Sequence, residues 1–240
     1  MNGILLIDKQ TGWTSFDVVA KVRGILKAKQ TDKGVNHKKI RVGHAGTLDP
    51  LATGLLIILI GDYCKRAQEF SKLDKVYEVE IKLGETSSTD DAEGTVLPYV
   101  SPQNANKHSG TNGKIPSEPK IKEVINSFVG QIMQTPPAFS AVKVNGKRAY
   151  KLAREGKKVE IKPRKVNIYS IKITDVDYPF VRFTAHVSSG TYIRSLARDI
   201  GEKLKTGAYM SNLRRTQAGN YNIKQATTVI DKQIINFIKS

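Results

Sequence analysis

The sequence predicts an α+β protein built on a mixed, largely antiparallel central sheet flanked by helices. Three observations carry that expectation. Short apolar runs at residues 4–7 and 55–60 are too brief for helices of their own and read as buried strands. Residues 75–84 alternate, with Tyr77, Val79, Ile81 and Leu83 on one face and Glu78, Glu80 and Lys82 on the other. Helical periods are interleaved with such strands without a strict βαβ rhythm, and no internal repeat is visible.

The elements follow in order. "GILLID" reads as a strand ending at a turn. "TSFDVVAKVRGILK" reads as a helix capped by Thr14 or Ser15, with Asp17 in its first turn and Phe16, Val19, Val22 and Leu26 on the inner face. Residues 27–42 form a basic polar loop, and residues 43–54, "GHAGTLDPLATG", a glycine-rich one. "LLIILIG" is then a fully buried strand, and "DYCKRAQEFSKL" a helix started by Asp62. After the alternating strand comes an acidic loop, "ETSSTDDAEG". Residues 101–119 are rich in Ser, Asn, Gly and Pro and read as a long surface loop.

Ile121, Val124, Ile125 and Phe128 then give an amphipathic helix. "SAVKVNGKRAY" is a hairpin signal, since Asn145-Gly146 supplies positive φ angles. A short basic helix, "RAYKLAREGKK", and three strands, "KVEI", "VNIYSIKITDV" and "FVRFTAHV", come next. In "GTYIRSLARDIGEKL" the stripe Ile193, Leu196, Ala197, Ile200 and Leu204 marks a helix. One or two further strands precede a final amphipathic helix, "VIDKQIINFI".

Composition narrows the function. Of 240 residues, 39 are Lys or Arg and 22 Asp or Glu, a formal net charge of +17. That surplus favours a polyanionic partner, nucleic acid first and an anionic membrane surface second. The plain alternative is a basic surface kept for solubility or a lysine-rich genome. Basic segments lie at 21–41, 143–165 and 214–215, several with interleaved Tyr, Gly and Asn. The single cysteine, Cys64, forms no intrachain disulfide, which suits a reducing cytosol. His37, His44, His108 and His186 are scattered, so no zinc-ligand spacing exists. No signal peptide or membrane-spanning run is present, and the expectation is a cytoplasmic, metal-free protein.

Asp49 is the residue in question. Gly43, Gly46 and Gly54 open unusual backbone angles around it, and Pro50 biases it towards extended ones. It is either the acid of a connecting turn or a reactive carboxylate on a loop aimed by a rigid strand, and spacing does not choose. Tyr77 is either a core tyrosine or a plane for stacking an unpaired base. Arg194, one position off its helical stripe, is either a solvated or phosphate-binding arginine or the partner that keeps a buried carboxylate ionised and nucleophilic.

Together the segments resemble the TruB family of tRNA pseudouridine synthases, in its bacterial branch. "GILLIDKQTGWTSFDVV" is similar to the family's opening strand, turn and helix. "GHAGTLDPLATGLLIILIG" resembles its catalytic loop with a G-x-L-D-P core, and "KVYEVEIKLGETSSTDDAEG" the next strand and acidic loop. "TPPAFSAVKVNGKRAYKLAREG" resembles its RNA-gripping segment. "SSGTYIRSLARDIGEKL" and "NLRRTQAGNY" resemble its last catalytic motifs. Five ordered motifs span nearly the whole chain.

The resemblance implies isomerisation of a T-loop uridine, position 55 of tRNA, to pseudouridine, with the target base flipped from its stack. It implies Asp49 as the nucleophile and Tyr77 stacked on the target base. It further implies Arg194 paired with Asp49, His44 packed where the flipped nucleotide has left space, and Tyr192 and Leu213 lining the base pocket. No metal or organic cofactor is implied, no guide RNA is expected, and a monomer is the default. The chain is expected to be one catalytic domain, 1–240, with an RNA-gripping insertion around 131–165 and no full C-terminal RNA-binding domain. The loops at 27–42 and 101–119 are longer than the family's usual ones, and the first is expected to add RNA backbone contacts.

Two other classes compete. A non-catalytic RNA-binding protein would keep its function without Asp49. A carboxylate-dependent glycosidase would need a second carboxylate, for which Asp90, Asp91 and Glu93 are candidates.

Overall fold

The computed structural model describes residues 1–32, 40–100, 115–144, 146–157 and 159–228. They form two compact units, one from within residues 1–77 and 213–228, the other from within residues 78–212.

The first unit is organised around β3 (Thr53–Ile60), whose last seven residues are all buried. β1 (Gly3–Lys9) runs antiparallel along it from Gly3↔Ile60 to Lys9↔Gly54. On the other side, β2 (Val42–Ala45) pairs antiparallel with Ile57 to Ile60. There too Arg214 and Arg215 pair parallel with Thr53 and Gly54. They belong to β12 (Ala208–Ala218). A strand paired on both edges and covered on both faces has to read as a continuous apolar run, as "LLIILI" does. Leu55, Ile57 and Leu59 pack with Ile4, Leu6, Ala45, Phe70 and Ala218.

Helix α1 (Ser15–Asp32) starts from a capping box. Thr14 Oγ1 accepts the Asp17 amide at 3.1 Å, while Asp17 Oδ2 accepts the Thr14 amide at 2.8 Å. Those bonds hold the Asp17 carboxyl below the usual carboxylate range. The buried face is Ser15, Val18, Val19, Val22 and Leu26. Phe16, expected inside, is 64 % exposed. With Ser15 as the first inward residue, position 16 is turned about 100° away. The helix also runs through residues 27–32, expected as loop; residues 33–39 lie outside the described residues. Residues 43–45 of the expected loop belong to β2 instead.

The second unit has the strand order β4 (Lys75–Leu83, from Glu78 on), β11 (Phe180–Val187), β10 (Arg164–Asp177) and β7 (Gly130–Gln134). β10 is antiparallel to both neighbours. Two small hairpins accompany the sheet: β5 (Glu85–Ser87) with β6 (Val96–Pro98), and β8 (Lys143–Val144) with β9 (Lys147–Arg148). Gly146 has φ +80°, the conformation the hairpin signal required. The helices are α3 (Glu118–Asn126), the short α4 (Ala149–Arg154) and α5 (Ile193–Leu204). The mixed α+β class with a mostly antiparallel sheet is as expected.

Four expectations fail or fall outside. Residues 159–161 of "KVEI" form no strand. Phe128 lies past the end of α3. The helix expected at 229–238 and most of the 101–119 loop lie outside the described residues. Among the described residues no helix is long and apolar enough to cross a membrane.

Candidate active site

The loop carrying Asp49 runs from Gly46 to Ala52, between β2 and β3. Its backbone is held by side chains that the first unit buries for that purpose. Ser15 Oγ donates to the Leu48 carbonyl at 3.0 Å and accepts the Leu48 amide at 2.9 Å. Lys9, fully buried, donates to the carbonyls of Gln10 (3.0 Å), Trp13 (2.6 Å) and Pro50 (3.2 Å). The Gly12 amide donates to the same Pro50 carbonyl at 2.9 Å, and the Ala52 amide to the Asp49 carbonyl at 3.1 Å. Residues 48 and 50, on either side of Asp49, are thus pinned by different elements, and Asp49 is half-buried between them.

Arg215 closes the ends of the segment. Nη2 donates to the Gly46 carbonyl at 2.8 Å and Nε to the Leu55 carbonyl at 2.7 Å. The arginine is 1 % exposed, so this half of the basic pair 214–215 is a buried clamp rather than part of a basic surface. Arg214 grips Asp8 through both guanidinium nitrogens, at 3.1 and 2.7 Å. Gly54 is required by this crossing. Its φ is +97°, and a Cβ would lie 2.3 Å from the Arg215 carbonyl oxygen.

His44 lies on β2, half-buried, and burial followed by the Arg215 charge lowers its pKa. Its Nδ1 is buried with no hydrogen-bond partner among the described residues. Tyr77 is buried on the apolar face of β4. Lys75 shares that face, which the alternating pattern did not anticipate. It donates to the Ser71 carbonyl at 2.5 Å and to that of Leu73. Burial, then the Arg215 charge, brings its ammonium from 10.5 down to about 8. Leu213 is buried, and its carbonyl accepts Thr53 Oγ1 at 3.4 Å. The first unit therefore holds His44, Asp49, Tyr77 and Leu213.

The second unit holds Tyr192 and Arg194. Tyr192 is the N-cap of α5 and is locked by Gln134, which accepts its amide at 2.8 Å and donates to its carbonyl at 3.1 Å. Arg194 is buried, although its position off the apolar stripe allowed a solvated reading. Nη1 lies 3.3 Å from Asp91 Oδ2 and donates to the Thr89 carbonyl at 3.2 Å, while Nη2 donates to the Phe139 carbonyl at 3.0 Å. Asp91 is itself buried and accepts Thr89 Oγ1 at 2.5 Å and the Glu93 amide at 3.0 Å. One turn along α5, Arg198 pairs with Asp90 at 2.9 Å.

Sequence reasoning placed Asp90 and Asp91 only in a glycosidase reading. In the structure they are partners of arginines, Asp90 of Arg198 and Asp91 of Arg194. The available signal was two adjacent acids in a loop and two arginines one helical turn apart. The bonds of Lys9, Ser15, Arg215 and Gln134 were not anticipated, because their partners are backbone atoms that carry no sequence signature. Among the described residues no group of three or more His, Cys, Asp or Glu could hold a metal ion.

The fold is shared with the crystal structure of a Cbf5-Nop10-Gar1 complex, at a TM-score of 0.66 and 29 % identity over 94 % of this chain. The chain spans about half of the matched chain there, 52 %. It belongs to the TruB family of pseudouridylate synthases, whose N-terminal domain model matches residues 33–193. A model of the tRNA pseudouridylate synthase B C-terminal domain matches residues 194–235. It is 47 % identical to tRNA pseudouridine synthase B of Clostridium acetobutylicum over 92 % of this chain and 69 % of that protein. It is 43 % identical to the protein of that name from Aquifex aeolicus, over 95 % and 72 % respectively.

Proposed function

We propose that the chain converts a T-loop uridine of tRNA, position 55, to pseudouridine, working as a monomer in the cytoplasm without a guide RNA. The C1′–N1 bond breaks, the base turns, and a C1′–C5 bond forms. C5 loses its proton and N1 ends with one, so atoms balance without a second substrate. Asp49 is the nucleophile of this reading, and Arg194 the cation that keeps the carboxylate ionised. Tyr77 stacks on the target base, with Tyr192 and Leu213 as pocket walls, and His44 occupies the space the flipped nucleotide leaves. Segment 131–165 grips the RNA, and the net charge of +17 draws it in.

The observation that carries the reading is the Asp49 loop itself. On a chain of a pseudouridylate synthase family, the residues flanking that aspartate are fixed by buried donors and acceptors, which a passive surface turn does not need. The test is incubation with an unmodified tRNA transcript, followed by chemical mapping of pseudouridine. Product at a single T-loop uridine is expected, and no product at any uridine sinks the proposal. Asp49→Asn is expected to lower the rate by more than about a thousandfold while tRNA retention and thermal unfolding stay unchanged. Unimpaired turnover by that variant would return the protein to the non-catalytic class.

A further inference from the structure

Arg198 lies outside every role assigned above, yet its guanidinium is bonded through all three of its nitrogens. Nη1 reaches Asp90 Oδ2 at 2.9 Å. Nη2 donates to the Thr135 carbonyl at 3.0 Å, and both Nη2 and Nε donate to Asp199 Oδ1, at 2.9 and 3.1 Å. Ser195 Oγ donates to the same Thr135 carbonyl at 2.8 Å. Asp90 and Asp91 are consecutive, and Arg194 and Arg198 are one turn apart. Two neighbouring carboxylates are therefore met by two arginines at the i, i+4 spacing of a single helix face.

The backbone at Asp90 makes the arrangement specific. Its φ is +62°, the left-handed region that an L-residue occupies at a cost. Its carbonyl accepts the Met210 amide at 3.1 Å, and the next amide but one, that of Ala92, donates back to the Met210 carbonyl at 3.1 Å. The reversal sends successive side chains to different partners, Asp90 to Arg198 and Asp91 to Arg194. Glycine takes this conformation most freely, and aspartate and asparagine are the side-chain-bearing residues that tolerate it best. Retaining an aspartate there makes physical sense if its carboxylate is needed.

We propose that Arg198 is a positioning residue for the reaction: its pair with Asp90 fixes the left-handed turn that aims Asp91 at Arg194, and so sets the orientation of the Arg194 guanidinium. The inference rests on the role given to Arg194 under the proposed function. The charged groups facing Asp90 are Arg198, Arg194 and Asp199, all on α5. Burial pushes the Asp90 carboxyl up, and the two arginines oppose that rise. Removing Arg198 raises it further, so Asp90 takes up a proton at a higher pH than in the wild type.

The experiment compares wild type, Arg198→Gln, Asp90→Gly and the double variant. It measures single-turnover pseudouridine formation at saturating tRNA across pH, with tRNA affinity by filter binding. Asp90→Gly is the sharper probe, since glycine adopts the turn freely and only the ion pair is lost. Each single variant is expected to lose about tenfold in rate. Affinity should stay within about twofold, and the double variant should be no slower than either single one. In Arg198→Gln the acid limb of the rate profile is expected to move to higher pH. A full rate for Asp90→Gly, additive losses in the double variant, or an unmoved acid limb would overturn the proposal. A wild type that makes no pseudouridine would instead strike at the proposed function.

Discussion

The Asp49 loop and the first turns of α5 both depend on buried cations, but they satisfy them with different partners. In the first unit, Lys9 and Arg215 donate to carbonyls of the loop and its ends, and Lys75 to those of Ser71 and Leu73. On α5, Arg194 and Arg198 donate to carbonyls and also face the carboxylates of Asp91 and Asp90. A backbone carbonyl does not titrate, so the acceptor of the first kind of clamp is the same at every pH, and its cost is the burial of a cation. A carboxylate cancels the charge, and it makes the second kind of clamp vulnerable to removal of one partner. The clamps of the loop thus act on backbone, and those around Arg194 act on backbone and carboxylate together.

The largest expected effect strikes the second region. Arg194→Met leaves Asp91 buried without its arginine and is expected to destabilise the fold by about 4 kcal/mol by chemical denaturation. A loss below about 1 kcal/mol would mean that Asp91 does not depend on the arginine.

Next comes Gly54→Ala in the first region. It combines a φ of +97° with a Cβ placed 2.3 Å from a backbone oxygen, and about 3 kcal/mol of stability should go. Unchanged thermal unfolding would show that the β3–β12 crossing can open.

Lys75 gives a smaller, pH-dependent effect. Its folded pKa of about 8 lies below the ordinary 10.5, so between those values the unfolded chain holds more protons and stability rises with pH. The penalty is fully present below about pH 8 and fades above it. Lys75→Met should therefore be favoured over wild type at neutral pH, with about 2 kcal/mol of that advantage gone by about pH 9.5. A pH-independent difference would refute the burial account.

His44 is the smallest case. Its lowered pKa means that below the ordinary 6.5 the unfolded chain gains a proton first, so stability falls as pH falls. Its imidazole should still be neutral by NMR titration at pH values where an exposed histidine has charged.

What the sequence made legible follows the same division. Elements defined by side-chain periodicity were readable: β3 from its unbroken apolar run, β4 from alternation, α5 from its stripe. Asp49, Tyr77 and Arg194 were visible as residues, while the choice between plain and catalytic roles needed the ordered motifs. The clamps were not legible, because a lysine or arginine bound to carbonyls 41 or 169 positions away looks like any other surface cation. Phe16 shows the limit of periodicity in the other direction. Moving the first inward residue by one position carried a predicted core aromatic into solvent.

The separation between Arg215 and Gly46 has a consequence for synthesis. Ser15 and Lys9 are already available when the Asp49 loop leaves the ribosome, so the middle of the loop can be held early. Its two ends wait for a side chain 169 residues later. During translation the loop is therefore half-fastened until β12 emerges, and its final shape is set only near the end of synthesis.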